Sequence, residues 1–235
     1  TFFDRQNLLF GGTGVVTMAR AGLDMAMWDA IAKDQGKPFY QLLDGTEDPI
    51  PAYESSGLGL SNAQEVAEEA AGFAQNGFRE MKVRLGYPTL EQDLEVLTAV
   101  RGAVGPDIGL IVDYNQTLTR EEAQKRCQAL DPYELLWIEE PLIAPDLEGA
   151  AALTKDFATP IQIGENLFSE TEVARALTLK SCDLLMPDVM KIGGATDWLI
   201  AAEAARVKGM PVSSHLFPEI SAHLLAVIEN RQFLE

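Results

Sequence analysis

The chain has 235 residues, enough for one large domain or two small ones, and 47% of them are apolar, as in an ordinary globular protein with a sizeable core. Its net charge of −18 argues against nucleic acid, whose phosphates need Lys and Arg. No apolar run approaches the roughly 20 residues that span a bilayer, and the opening TFFDRQNLLF lacks the basic start and apolar block of a signal peptide. No membrane and no nucleic acid are therefore expected as partners. Cys127 and Cys182 are isolated thiols, the pattern of buried packing in a reducing cytoplasm rather than of a disulfide framework. The missing initiator Met and the abrupt end at Glu235 give the expectation of a piece of a longer protein.

Residues 14–34 carry a helical stripe of Val15, Met18, Ala19, Leu23, Ala26, Met27 and Ala30, closed by the Pro- and Gly-punctuated loop 37–51. Regular alternation starts at residue 51. AYESS reads as a strand, and SNAQEVAEEAAGFAQNG as a helix with Ser61 as cap. FREMKVRLG is a strand, and the helix from Thr89 opens with a Thr-x-x-Gln capping box. IGLIVDYN is a strand, followed by a helix with a Thr-x-x-Glu box at Thr119. LLWIEEP, PIQIGEN, CDLLMPD, MPVSSHL and RQFLE complete eight strands, with seven helices between them. Ser169 is the expected cap of the helix SETEVARALTLKS, and Pro218 lies near the first turn of the last helix.

Short Ile-, Leu- and Val-rich strands alternating with helices predict an α/β parallel sheet covered on both sides. A doubly wound open sheet shares this alternation. Eight units without a glycine-rich phosphate loop after the first strand favour a closed TIM-type barrel. In such a barrel the strand ends converge on one mouth. Here they supply Lys82 and Arg84, Asp113 and Asn115, Glu139 and Glu140, Glu165 and Asn166, Asp188, His215 and Glu235.

Asp113, Glu139 and Glu165 lie 26 residues apart on three successive strands. Three hard oxygen ligands suit Mg²⁺ rather than zinc, although each alone is also what a solvated loop start or helix cap looks like. Asp188 on the next strand can hold one ring nitrogen of His215 and leave the other as a base. His223, inside the apolar helix SAHLLAV, reads as structural. Lys82 and Arg84 share a strand face and can bind a carboxylate.

VDYN, WIEEP, IGEN, MPDVMKIGG and SSHLFPEISAHLLA, in this order and spacing, resemble the mandelate racemase group of the enolase superfamily; GLDMAMWDAI and GFREMKVRLGYP fit the same pattern. The resemblance covers the chain from about residue 14 to Glu235. It implies a (β/α)7β barrel over residues 51–235, with residues 1–50 leading in from an N-terminal α+β capping domain that is largely absent. It implies Mg²⁺ held by Asp113, Glu139 and Glu165, and removal of the α-proton of a small-molecule carboxylate to give a metal-bound enediolate. By the same resemblance His215 and Asp188 form a dyad and Glu235 hydrogen-bonds the enediolate. Lys82 matches the first lysine of a Lys-x-Lys motif, and a homo-oligomer is implied.

Arg84 replaces that motif's second lysine. Guanidinium stays protonated, so Arg84 is a poor base, and one-sided chemistry such as acid-sugar dehydration is expected ahead of racemisation of a 2-hydroxy acid. Arg84 and Asn115 are then substrate-binding, with Lys82 and Glu235. A non-catalytic barrel or binding module is the alternative of another class. A metal-free phosphate-binding barrel is disfavoured, since no glycine-rich loop follows the last strands.

Overall fold

The computed structural model describes residues 12–235. Helix α1 spans Val15–Asp34, and a 3-10 turn follows at Phe39–Leu43. Then come α2 (Ala63–Gln75), β1 (Glu80–Arg84), α3 (Leu90–Val104), β2 (Gly109–Asp113), α4 (Arg120–Leu130) and β3 (Trp137–Glu139). They are followed by α5 (Leu147–Asp156), β4 (Ile161–Ile163), α6 (Glu170–Leu179), β5 (Leu184–Leu185), α7 (Ala195–Val207) and α8 (Pro218–Leu225). The chain divides into two compact units. One takes the described part of Thr1–Pro51 with Ile163–Thr178 and Leu184–Glu235; the other takes Ala52–Gln162 with Leu179–Asp183.

In the unit built on Ala52–Gln162, β1 to β4 pair in parallel. The register aligns Arg84 with Asp113, Asp113 with Glu139, and Glu139 with Gln162, so the polar strand ends form one row. Met81, Val83, Leu110, Val112, Ile138 and Ile161 are fully buried, as expected of strands covered on both faces. The capping box at Thr89 is present, with Gln92 returning the bond. At α4 half of the expected box forms: Thr119 caps Glu122 N–H, while the Glu122 carboxylate bonds Arg126. The cap of α2 is Asn62 rather than Ser61, because Asn62 Oδ1 accepts from Glu65 N–H at 3.0 Å while Ser61 donates to the Glu65 side chain. Cys127 and Cys182 are buried, without a disulfide, and burial pushes both thiols up to about 12.

In the other unit, Met186 N–H bonds Ile163 carbonyl, and β5 bridges in parallel to Val212, which bridges to Arg231. Ser169 caps α6 as expected. The seventh and eighth expected strands of this unit, MPVSSHL and RQFLE, and the first expected strand, AYESS, in the unit built on Ala52–Gln162, are reduced to isolated bridges. Pro51 and Pro211 have no N–H to donate, which interrupts the ladder there. Helix α1 docks by its polar side: Asp24 accepts from Thr196 N–H and hydroxyl, Arg20 pairs with Asp197, and Trp28 donates to Thr196. Gly193 and Gly194 have φ of 117° and 112°, and a Cβ there would strike Arg20 and Asp24 side chains. The apolar stripe is turned outward, with Val15, Ala19, Leu23, Ala26, Met27 and Ala30 exposed. Among the described residues no helix is long and apolar enough to cross a membrane.

Candidate active site

Parallel pairing delivers polar side chains to one row in the first of these units. Asp113 and Glu139 are buried, and so is Lys82. Burying carboxylates is costly unless they are paired. Lys82 Nζ stands 2.9 Å from Glu139 Oε1 and 3.7 Å from Asp113 Oδ2, and Arg84 Nη1 lies 2.7 Å from the same Asp113 oxygen. Lys82 and Arg84 thus act from one strand face, with buried Val83 between them on the other. Trp137 Nε1 donates to Glu139 Oε2 at 3.3 Å. Asn115, exposed and at φ 44°, turns its N–H back onto Asp113 Oδ1 at 2.7 Å.

The other unit holds Glu165, Asp188 and His215, all buried. Asp188 and His215 are bridge partners, which brings Asp188 Oδ2 to 2.6 Å from His215 Nδ1. The opposite ring nitrogen, Nε2, is 2.9 Å from Glu165 Oε2. Burial works against a charged ring. The bonds to Asp188 and Glu165, with the negative charges of Glu165 and Glu235, outweigh it and raise His215 to about 10. Both ring nitrogens of His215 therefore face carboxylate oxygens, an arrangement that favours the charged ring. Glu235 accepts from Leu216 N–H at 3.1 Å, and its own N–H donates to Ser214 Oγ.

Asn166, placed at a strand end by the sequence, and Lys191, which the sequence reading did not single out, join this group. Lys191 Nζ bonds Asn166 Oδ1 at 2.9 Å and stands 3.4 Å from Glu165 Oε1, while Asn166 Nδ2 donates to that Glu165 oxygen. The available signal was a lone lysine three residues after Asp188, just before Gly193 and Gly194. His223 is structural as expected: it stacks on Tyr40 at 5.6 Å, and burial lowers its pKa.

Asp113 and Glu139 in one unit, and Glu165 in the other, each offer only carboxylate oxygens, donors that suit a hard cation. As they stand, each faces a basic group, and among the described residues no three His, Cys, Asp or Glu side chains are grouped to hold a metal ion.

Residues 65–235 match the family model described as enolase C-terminal domain-like, and residues 2–44 match the mandelate racemase/muconate lactonizing enzyme N-terminal domain. The chain belongs to the mandelate racemase/muconate lactonizing enzyme group of the enolase superfamily. Its fold class is accordingly the α/β TIM-type barrel of that superfamily, with little of the N-terminal cap in this chain. It is 34% identical over 226 residues to the L-talarate/galactarate dehydratase of Salmonella typhimurium, covering 96% of this chain and 57% of that protein. It is 41% identical to an enolase from Bradyrhizobium complexed with magnesium and mandelic acid, with a TM-score of 0.93, covering 99% of this chain and 64% of that one. It is 33% identical to the L-talarate dehydratase of Polaromonas sp. JS666 complexed with Mg and L-glucarate, with a TM-score of 0.91, covering 100% and 64%. Cycloisomerases and an N-succinyl-L-Arg/Lys racemase are also among the matches of this superfamily. The chain spans about three-fifths of the length of the curated relatives it matches.

Proposed function

We propose that this chain carries the centre of a Mg²⁺-dependent enzyme that abstracts the α-proton of an α-hydroxy carboxylate and dehydrates an acid sugar, with His215 as the base. The observation that carries this reading is the Asp188–His215–Glu165 line, with contacts of 2.6 and 2.9 Å. Asp188 fixes the ring and its Nδ1 proton. Nε2 becomes a base once Glu165 turns from it to another cation and the Nε2 proton, no longer held by that carboxylate, passes to solvent. Asp113, Glu139 and Glu165 are the proposed holders of Mg²⁺, which when bound supplies positive charge to a substrate carboxylate. Lys82 binds the same carboxylate, and Glu235 hydrogen-bonds the oxygen that gains charge as the α-proton leaves.

His215 takes the α-proton onto Nε2, and the C–H electron pair passes into the enediolate. Return of a proton to the departing β-hydroxyl then releases water and leaves an enol that becomes the 2-keto acid. Arg84, held on Asp113 and offering only N–H donors, serves to bind substrate with Asn115. Relatives named as sugar-acid dehydratases support this outcome. Racemisation is the second reading, supported by the mandelic acid in the Bradyrhizobium structure and by the racemase relative. The match of residues 2–44 to the N-terminal domain model supports reading residues 1–50 as the lead-in from a cap and 51–235 as the catalytic barrel.

The test is α-carbon deuterium exchange in D₂O by the full-length protein across a panel of sugar acids, with mandelate in parallel. Exchange with water loss, abolished in His215→Asn, is the expected result. Exchange that survives His215→Asn, or is absent for every acid, overturns the reading. Racemised mandelate overturns the preference for dehydration.

A further inference from the structure

Asp93 sits in the first turn of α3, where an acidic residue ordinarily faces solvent and complements the helix dipole. Here it is fully buried, opposite the buried Arg126 of α4. Its carboxylate takes four bonds. Oδ1 accepts from the backbone N–H groups of Gly86 (3.0 Å) and Tyr87 (2.9 Å). Oδ2 accepts from the Tyr114 hydroxyl (3.0 Å) and from Arg126 Nη1 (2.6 Å). Arg126 also donates to Tyr87 carbonyl at 3.0 Å and, through Nε, to Glu122 at 3.1 Å.

One carboxylate therefore joins the turn after β1 to the turn after β2. Gly86 is two residues beyond Arg84, and Tyr114 lies between Asp113 and Asn115. The two turns approach closely: Gly86 has φ 109°, and a Cβ on it would stand 3.0 Å from Thr117 Oγ1, which itself bonds Tyr114 carbonyl at 2.7 Å. A buried ion pair is a poor source of net stability, because desolvating both charges offsets their attraction, and an apolar pair of equal volume often does as well. What an apolar pair cannot do is hold two N–H groups and a phenol at fixed points.

We propose that Asp93 and Arg126 are a positioning pair that fixes Arg84, Asp113 and Asn115 relative to one another through the Gly86 and Tyr87 amides and the Tyr114 hydroxyl. The reading of what that row does rests on the proposed function; the mechanical coupling does not. A misplacement of about 1 Å costs catalysis on the order of 10²-fold.

The experiment uses the full-length protein with Arg126→Met, Arg126→Lys, Asp93→Asn and Tyr114→Phe. Leu130→Ala, a change at a fully buried position on the same helix, controls for global destabilisation. Amide hydrogen exchange is read on peptides covering residues 85–89 and 113–118, and kcat and KM are read on any substrate found. In Arg126→Met and Asp93→Asn both peptides are expected to exchange about tenfold faster or more than in a Leu130→Ala protein of matched stability, and kcat falls at least tenfold with KM changed less. Arg126→Lys restores most of both, and Tyr114→Phe loosens 113–118 more than 85–89. If Arg126→Met fails to fold, the Tyr114→Phe and Arg126→Lys comparison carries the test. Exchange that only follows global stability, as in Leu130→Ala, overturns the proposal. Inactivity on every substrate would refute the proposed function while leaving the exchange result to judge the pair.

Discussion

Replacing Lys82 by Met removes the charged partner of Glu139 from a site where both side chains are almost fully buried. At 2.9 Å and an effective dielectric near 20, the Lys82–Glu139 attraction is about 6 kcal/mol before desolvation is subtracted. Breaking a buried pair from one side costs about 3–5 kcal/mol, because the remaining charge stays buried. Asp113 suffers less, since Arg84 still reaches it at 2.7 Å. Glu139→Gln is milder, about 1–3 kcal/mol, because Lys82 keeps Asp113 at 3.7 Å. In the double variant no charge is stranded on Glu139, so its loss should fall short of the sum of the single losses by about 2 kcal/mol. The assay is urea unfolding followed by far-UV circular dichroism, in EDTA so that no cation substitutes for Lys82. For a chain of this length Lys82→Met lowers Tm by roughly 10 °C. A coupling below about 0.5 kcal/mol would refute the claim that this pair neutralises the row.

In the proposed reaction Asp188→Asn should lower the α-exchange rate about 10²- to 10⁴-fold with little change in substrate affinity, since it removes the acceptor that orients His215; kinetics of this variant against wild type check this. Asp131 is held below the usual carboxylate range by the N–H and hydroxyl of Thr159 and the N–H of Ala158. Its contribution to stability is therefore complete above the unfolded pKa of about 3.9 and is lost as pH falls through the lower folded value. Asp131→Asn should be less stable than wild type at pH 6, with the gap closing in acid; equal gaps at pH 6 and pH 2.5 would contradict this. Cys127 and Cys182, both buried and raised to about 12, should resist a thiol reagent at pH 8 in the native state and react stoichiometrically in urea. Prompt labelling of the folded protein would show that one of them is accessible.

Much of the fold was legible because its signals are local. The caps at Thr89, Thr119 and Ser169 act across three residues, and the strand periods place Lys82 and Arg84 on one face without reference to the rest of the chain. Ser61 misled because two adjacent residues could cap, and the backbone at Asn62 decided between them. The outward turn of the α1 stripe was not legible, because an apolar period says which residues share a face and not which face docks. Arg20, Asp24 and Trp28 settle that only when α7 is present to receive them.

The sequence by itself determined the order of strands and helices, the residues standing at the strand ends, and hence the kind of chemistry a row of carboxylates and a His/Asp pair can support. Tertiary structure alone decided which base meets which acid: Lys82 with Glu139 across 57 residues, Lys191 with Glu165 across 26, Arg126 with Asp93 across 33. Such pairings depend on strand register and on the rotation of each helix about its axis. A local period leaves both open, because every rotation and register shift keeps the same sequence pattern while changing which side chains meet.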